Sequence, residues 1–203
     1  MAYPTVAGPY GFQPINLIGG QVFAGATRQI PIASGSGTSI YYGDVVRLNT
    51  GGTLSRVSTT DSATDAVGIF LGCAFTNPTT KQYLQQQYYP ASTVASDIVA
   101  YVCDDPDTYF KVAVLSDSTT IGGMTQTDIG NNVAMLVTAG STTTGDSKEG
   151  VSATTGSATT LPFRVIAGVP ETVNASGSFT EVIVKFNFGV HTYYSAAAVA
   201  TAA

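Results

Sequence analysis

Ile98-Val99-Ala100-Tyr101-Val102-Cys103-Asp104-Asp105-Pro106-Asp107-Thr108-Tyr109-Phe110-Lys111-Val112-Ala113-Val114-Leu115 is the stretch that decides the fold class. Two runs of β-branched and aromatic residues flank a cluster of Asp and Pro, and such a cluster ends one strand and sets the turn into the next. Helical spacing is absent from both runs. The same pattern recurs outward in both directions. Arg28–Ala33 alternates. Val45–Asn49 and Thr53–Val57 are short β-prone runs joined by Thr50-Gly51-Gly52, a hairpin signal. Ala66–Ala74 is almost continuously apolar, as in a strand buried on both faces. Val133–Thr138, Leu161–Val169 and Phe179–Phe188 complete the series, the last with clear alternation. The expected fold is all-β, a β-barrel or β-sandwich body with an extended N-terminal arm. Lys81–Tyr88, ending at Tyr89-Pro90, is the one weak helix candidate.

Composition narrows the function. The 203 residues carry 10% charged side chains, against roughly 25% in an ordinary soluble domain. Small neutral polar residues replace the missing charge. Lys and Arg number 8 against 13 Asp and Glu, a net charge of −5. Binding to nucleic acid through phosphate neutralisation is therefore not expected. No apolar run approaches the ~18–20 residues of a membrane helix, so no membrane partner is expected. Met1–Gly20 lacks a basic region and an apolar core, so it does not read as a secretory signal, and synthesis in a cytoplasm is expected. A surface this poor in charge suits a chain covered by an assembly.

Three regions organise the chain. Residues 1–20 read as an extended arm, because Pro4, Gly8, Pro9, Gly11, Pro14, Gly19 and Gly20 interrupt regular structure. Large apolar groups interleave with them. Tyr3, Pro4, Tyr10, Phe12, Pro14 and Ile15 are the candidate partner-binding residues, although the same groups would also serve to cover the chain's own core. Residues 21–194 form one β-rich domain, in which 140–160 is Ser/Thr/Gly-rich and reads as a long loop or exposed hairpin. Residues 195–203 form an Ala-rich tail, too short for a stable lone helix.

Candidate chemistry is sparse. His191 is the single histidine, and no G-x-S-x-G or H-E-x-x-H accompanies it. No catalytic residues are assigned. Asp104, Asp105 and Asp107 offer oxygen ligands for Ca²⁺, but they lack the EF-hand pattern and read better as a hydrated turn, so no metal is assigned. Cys73 and Cys103 each end an apolar run and read as buried free thiols, with a pairing left open. Gly19-Gly20 and Gly35–Gly37 do not match phosphate-binding spacings. Asn174-Ala175-Ser176 matches a glycosylation sequon without a secretory context. Gln85-Gln86-Gln87-Tyr88-Tyr89 supplies amides and rings suited to loop packing or to a glycan or protein neighbour. No cofactor is expected.

Taken in order, several short motifs resemble a family of tailed-phage virion proteins of marine and cyanobacterial phages. Tyr10-Gly11-Phe12-Gln13-Pro14 resembles its YGLRP opening, with Gln13 where the family has arginine. Tyr42-Gly43-Asp44-Val45-Val46 resembles its GDPV strand start, and Val67-Gly68-Ile69-Phe70-Leu71-Gly72-Cys73 its GVFxGC strand. Asp104–Asp107 with Tyr109–Val112 resembles its DDPxxxFxV segment, and Phe163–Ile166 and Val182–Asn187 its closing strands. The resemblance runs from about residue 10 to about residue 192. It implies a non-enzymatic decoration or cement protein on the outer surface of a cyanophage-type capsid, stabilising contacts between major capsid protein subunits. The implied assembly is a homo-oligomer, most simply a homotrimer, located in the virion. The other function class is a host-surface or glycan-binding β module, such as a head fibre or a tail-associated virion protein, with rings near Tyr83–Tyr89 as stacking platforms.

Overall fold

A computed structural model describes residues 6–17, 20–58, 66–187 and 189–194. Among them are twelve strands and two single-turn 3-10 helices, at Gln126–Asp128 and Pro170–Thr172. The strands are β1 (Gln13–Leu17), β2 (Arg28–Pro31), β3 (Val45–Leu48), β4 (Leu54–Arg56), β5 (Ala66–Thr76) and β6 (Tyr83–Gln86). They continue with β7 (Val99–Cys103), β8 (Thr108–Leu115), β9 (Asn132–Leu136), β10 (Gly150–Gly156), β11 (Phe163–Gly168) and β12 (Glu181–Phe186). The protein is all-β.

The strands form two sheets. In the first, β8-β10-β9-β11-β12 closes on itself because β12 returns to pair antiparallel with β8. The result is a five-strand barrel, with β1 added to the edge of β8 beside β10. Alternation explains the barrel interior: Phe110, Val112 and Val114 of β8 face inward with Phe163, Val165, Val182, Val184 and Phe186, all buried. The second sheet runs β2-β7-β5-β3-β4, with β6 on the far part of β5. Ile30, Val46, Val67, Phe70, Cys73, Ala100 and Val102 fill its inner face.

The two sheets share the core through β5. Ala66 and Ile69 face the barrel, while Val67 and Phe70 face the other way into the second cluster. Both faces of this part of the strand are buried, hence its continuous apolar sequence. The Asp104-Asp105-Pro106-Asp107 turn then carries the chain from β7 in one sheet to β8 in the other. The turn is where it was expected, but it crosses between layers and makes no hairpin.

Two expectations are corrected, and of the two readings of the N-terminal arm the one that covers the chain's own core holds for its described part. Lys81–Tyr88 is not helical: Tyr83–Gln86 pairs with Cys73–Thr76 as a strand. The stretch 140–160 is not all loop: Gly150–Gly156 is a barrel strand, parallel to β8 and antiparallel to β9. It reads as low complexity because space there is scarce. A Cβ on Gly150 would sit 2.6 Å from a Leu115 methyl. Finally, the described part of the N-terminal arm is not detached. Gln13–Leu17 pairs with Lys111–Thr108 and is a strand of the body's own sheet.

Candidate functional site

The N-terminal candidates are held by this chain. Phe12 is fully buried and its ring stacks on Phe163, with centroids 4.6 Å apart. A side chain with no exposed surface cannot touch a partner, so Phe12 is a core residue and not a partner contact. Tyr10 donates its phenol to Glu181, and Lys111 lies over its ring at 5.6 Å. Pro14 and Ile15 sit half-buried in β1. Tyr3 and Pro4, like the tail 195–203, lie outside the described residues.

The acidic turn is neutralised internally. Arg28 Nε lies 2.9 Å from Asp104 Oδ2, and the Tyr193 hydroxyl donates to the same oxygen at 2.5 Å. Lys185 Nζ lies 2.8 Å from Asp107 Oδ1, and Asp105 Oδ1 accepts the Asp107 amide. Among the described residues no group of three or more His, Cys, Asp or Glu is placed to hold a metal. Nearby, His191 is fully buried against Phe186, and its Nδ1 accepts the Tyr193 amide at 3.2 Å. Burial penalises its cation and lowers its pKa to about 4. The adjacent Asp104 and Asp105 carboxylates only partly oppose this.

Cys73 and Cys103 are both buried and free. They lie on neighbouring strands, but Cys73 pairs with Ala100 and Cys103 with Ile69, and the two thiols face opposite cores. Burial pushes Cys73 up to about 12 and Cys103 up to about 11.

A buried charged knot was not visible in the sequence. Asp44 and Glu149 have no exposed surface. Arg56 Nε lies 2.9 Å from Asp44 Oδ2, and its Nη2 lies 3.0 Å from Glu149 Oε1 and donates to the Thr138 carbonyl. The Tyr41 amide donates to Asp44 and the Val45 amide to Glu149. Burial raises Asp44 to about 6 despite Arg56, and raises Glu149 well above the usual carboxylate range, aided by the neighbouring Asp44 charge. The knot ties the β3–β4 hairpin to the segment entering β10. It joins the two sheets with two acids on one cation. Nothing local couples residue 44 to residue 149, which are 105 positions apart in the chain.

The segments that carry the family resemblance meet in space. The Phe12 amide donates to the Gly43 carbonyl at 3.0 Å, and Gly11 packs on Gly43 so closely that a Cβ on Gly11 would lie 2.9 Å from that carbonyl oxygen. Both glycines have positive φ, at 82° and 90°. The Gly43 amide donates to the Phe70 carbonyl at 2.8 Å, and Phe70 returns a bond to Asp44 at 2.9 Å. Gly68 lies under the end of β7, where a Cβ would be 2.1 Å from the Cys103 carbonyl oxygen. Phe110 and Val112 pair with Val184 and Val182, and Phe163 pairs with Phe186.

On the surface, Tyr89 is fully buried, so it is no stacking platform, and Tyr88 stacks on Tyr41. Tyr83 is 60% exposed. An open groove of about 490 Å³ runs beside Gln85, Gln87 and Tyr101. A second, of about 540 Å³, lies between Asn77, Lys81, Val94 and Asp97. Val22, Val94, Tyr193 and Tyr194 are the other large exposed apolar groups.

The fold thus defines a class, an all-β protein built on a closed five-strand barrel and a second sheet. Compared with known protein families, curated proteins and solved structures, the chain matches none. Among the described residues no helix is long and apolar enough to cross a membrane.

Proposed function

We propose that the chain is a non-enzymatic decoration or cement subunit of a tailed-phage head, located on the capsid surface and bound to the major capsid protein. One observation carries this reading. The short motifs that resemble the virion family, scattered over most of the sequence, interlock at one place in the fold: Gly11-Phe12 on Gly43, Gly43-Asp44 on Phe70, Gly68 under Cys103, and β8 on β12. A shared framework would leave this trace, because glycines at close approaches and buried strand residues tolerate few replacements.

The surface supports the same reading. Little charge is present to repel a lattice, and exposed Val22, Tyr193 and Tyr194 supply apolar contact. The mechanism is mass action: a subunit that binds only the mature lattice stabilises it according to affinity and occupancy. Copies that bridge capsid subunits gain from effective concentration, and a closed homotrimer is one symmetric way to build such a bridge.

Co-sedimentation with mature heads stripped of this protein tests the proposal. Saturable binding at a fixed ratio to the major capsid protein is expected, and that ratio reports the symmetry site. Protein that stays in the supernatant at saturating concentration refutes it.

A further inference from the structure

The outer face of the second sheet changes character along β5. At Ile69 and Cys103 this face is covered by the barrel and fully buried. Past the β-bulge between Phe70 and Gly72, the same face emerges from under the barrel. Its central strand there presents Gly72, Ala74 and, at its far end, Thr76, while the flanking strands present larger groups. Tyr101 and Val99 stand on β7, and Gln85 and Tyr83 on β6, with Gln87 just beyond it. Small residues in the middle and large ones on both sides make a trough, and its part nearer the barrel is a groove of about 490 Å³ lined by Tyr42, Leu71, Gly72, Gln85, Gln87 and Tyr101. That volume is within the range of small-ligand sites.

The chemistry of the trough is specific. Lys, Arg, Asp and Glu are absent from its lining, which draws its polarity from phenols and carboxamides. Gln87 Nε2 is oriented by Asp146 Oδ1 at 2.5 Å, at the rim. The backbone of β5 is paired on both edges here, with β6 and β7, so the floor of the groove offers no free ladder to a peptide. What remains is an uncharged surface of ring faces and planar amides. Rings offer apolar area, and amides offer a donor and an acceptor side by side. A neutral saccharide has the matching groups: C–H faces for the rings and vicinal hydroxyls for the amides.

We infer that the groove over Gly72, walled by Tyr42, Tyr101, Gln85 and Gln87, is a binding site for a neutral saccharide. The inference stands apart from the capsid proposal. Failure to bind heads leaves it intact, and failure to bind glycans leaves the capsid proposal intact.

The test is the purified full chain on a glycan array that displays neutral oligosaccharides beside sialylated and sulfated ones. Retention on neutral glycans is expected. Gln85→Ala and Gln87→Ala alter exposed positions, so the chain stays folded by circular dichroism. Each should weaken retention about tenfold, the equivalent of one amide contact. Val22→Ala, on the β1 side of the molecule, should leave retention unchanged. Three results would overturn the inference: no neutral glycan retained, retention confined to acidic glycans, or retention that survives Gln85→Ala, Gln87→Ala and Tyr101→Ala combined.

Discussion

Acid should act on this protein through two buried groups of opposite sign, and replacing either one should reveal the other. Asp44 moves from an ordinary 3.8 to about 6 because burial disfavours its charge. The folded state therefore holds that proton more tightly than the unfolded chain. Its contribution is fully present below about pH 3.8 and is lost as pH rises through about 6. At 1.36 kcal/mol for each pH unit of difference, this is about 3 kcal/mol. His191 moves the other way, from 6.5 to about 4. Its contribution is fully present above pH 6.5 and is lost as pH falls through about 4, again about 3 kcal/mol. Glu149 acts in the same sense as Asp44. Asp97, Asp117 and Asp128, held low by the Thr76 side chain and by the Thr119 and Thr125 amides respectively, lose their contributions only as pH falls below the ordinary 3.8. Between pH 6.5 and 4 the native chain should therefore lose little stability. Relative to the native chain, Asp44→Asn should fall by about 3 kcal/mol across that window, while His191→Phe should rise as the pH drops. Urea unfolding at pH 6.5, 5 and 4, at constant ionic strength, reads these slopes. A pH slope for Asp44→Asn equal to that of the native chain would refute the reasoning.

The remaining predictions concern the knot, the thiols and the N-terminal segment. Arg56→Met strands two buried carboxylates without their cation and should cost about 3–5 kcal/mol in denaturant unfolding; a loss under 1 kcal/mol would show the knot to be open to water. Both thiols should resist a disulfide reagent in the native protein and react fully in urea, since each is buried with its thiolate disfavoured. Deletion of residues 1–20 should unfold or strongly destabilise the body, because it removes β1 from β8 and leaves a Phe12-sized cavity worth about 3–5 kcal/mol. Deletion of residues 1–9, which keeps Tyr10 on Glu181, should preserve the melting temperature within a few degrees by differential scanning fluorimetry. Equal melting temperatures for both deletions would contradict the placement of β1 in the sheet.

Legibility followed the number of buried faces. β5 and β12 were plain in the sequence for different reasons. β5 is apolar throughout because much of it is buried on both sides, and β12 alternates because Val182, Val184 and Phe186 fill the barrel while Ile183 and Lys185 face out. The hairpin at Thr50-Gly51-Gly52 was visible because turn chemistry is local, and Val46–Leu48 pairs with Arg56–Leu54 as expected. β10 was hidden because its barrel position requires small residues, which are also the residues of loops. β6 was misread because glutamines favour helices, whereas its alternate exposure belongs to a strand on a sheet edge. The trough was half visible. Gln85–Tyr89 was singled out, but Tyr101 lies on another strand, and only the register of β5 with β7 brings it opposite Gly72.

Four of the eight basic side chains of this sparsely charged chain are spent on its own architecture. Arg28 pins Asp104 beside Tyr193, Arg56 joins the two sheets through Asp44 and Glu149, Lys111 holds Glu181 beside Tyr10, and Lys185 holds Asp107 across the barrel edge. All but Arg56–Asp44 link segments distant in sequence, and they fix geometry where the hydrophobic clusters meet or end. Charges committed in this way are poor long-range guides for a partner, since their fields cancel within a few ångströms and salt screens the remainder. Recognition is then left to short-range forces, meaning shape, exposed apolar groups and neutral hydrogen bonds. The groove over Gly72 has that character, and so do the exposed Val22, Tyr193 and Tyr194. A capsid lattice suits such a surface, because high local copy number compensates for weak individual contacts. A neutral saccharide suits it for the complementary reason, that it offers no charge to be read.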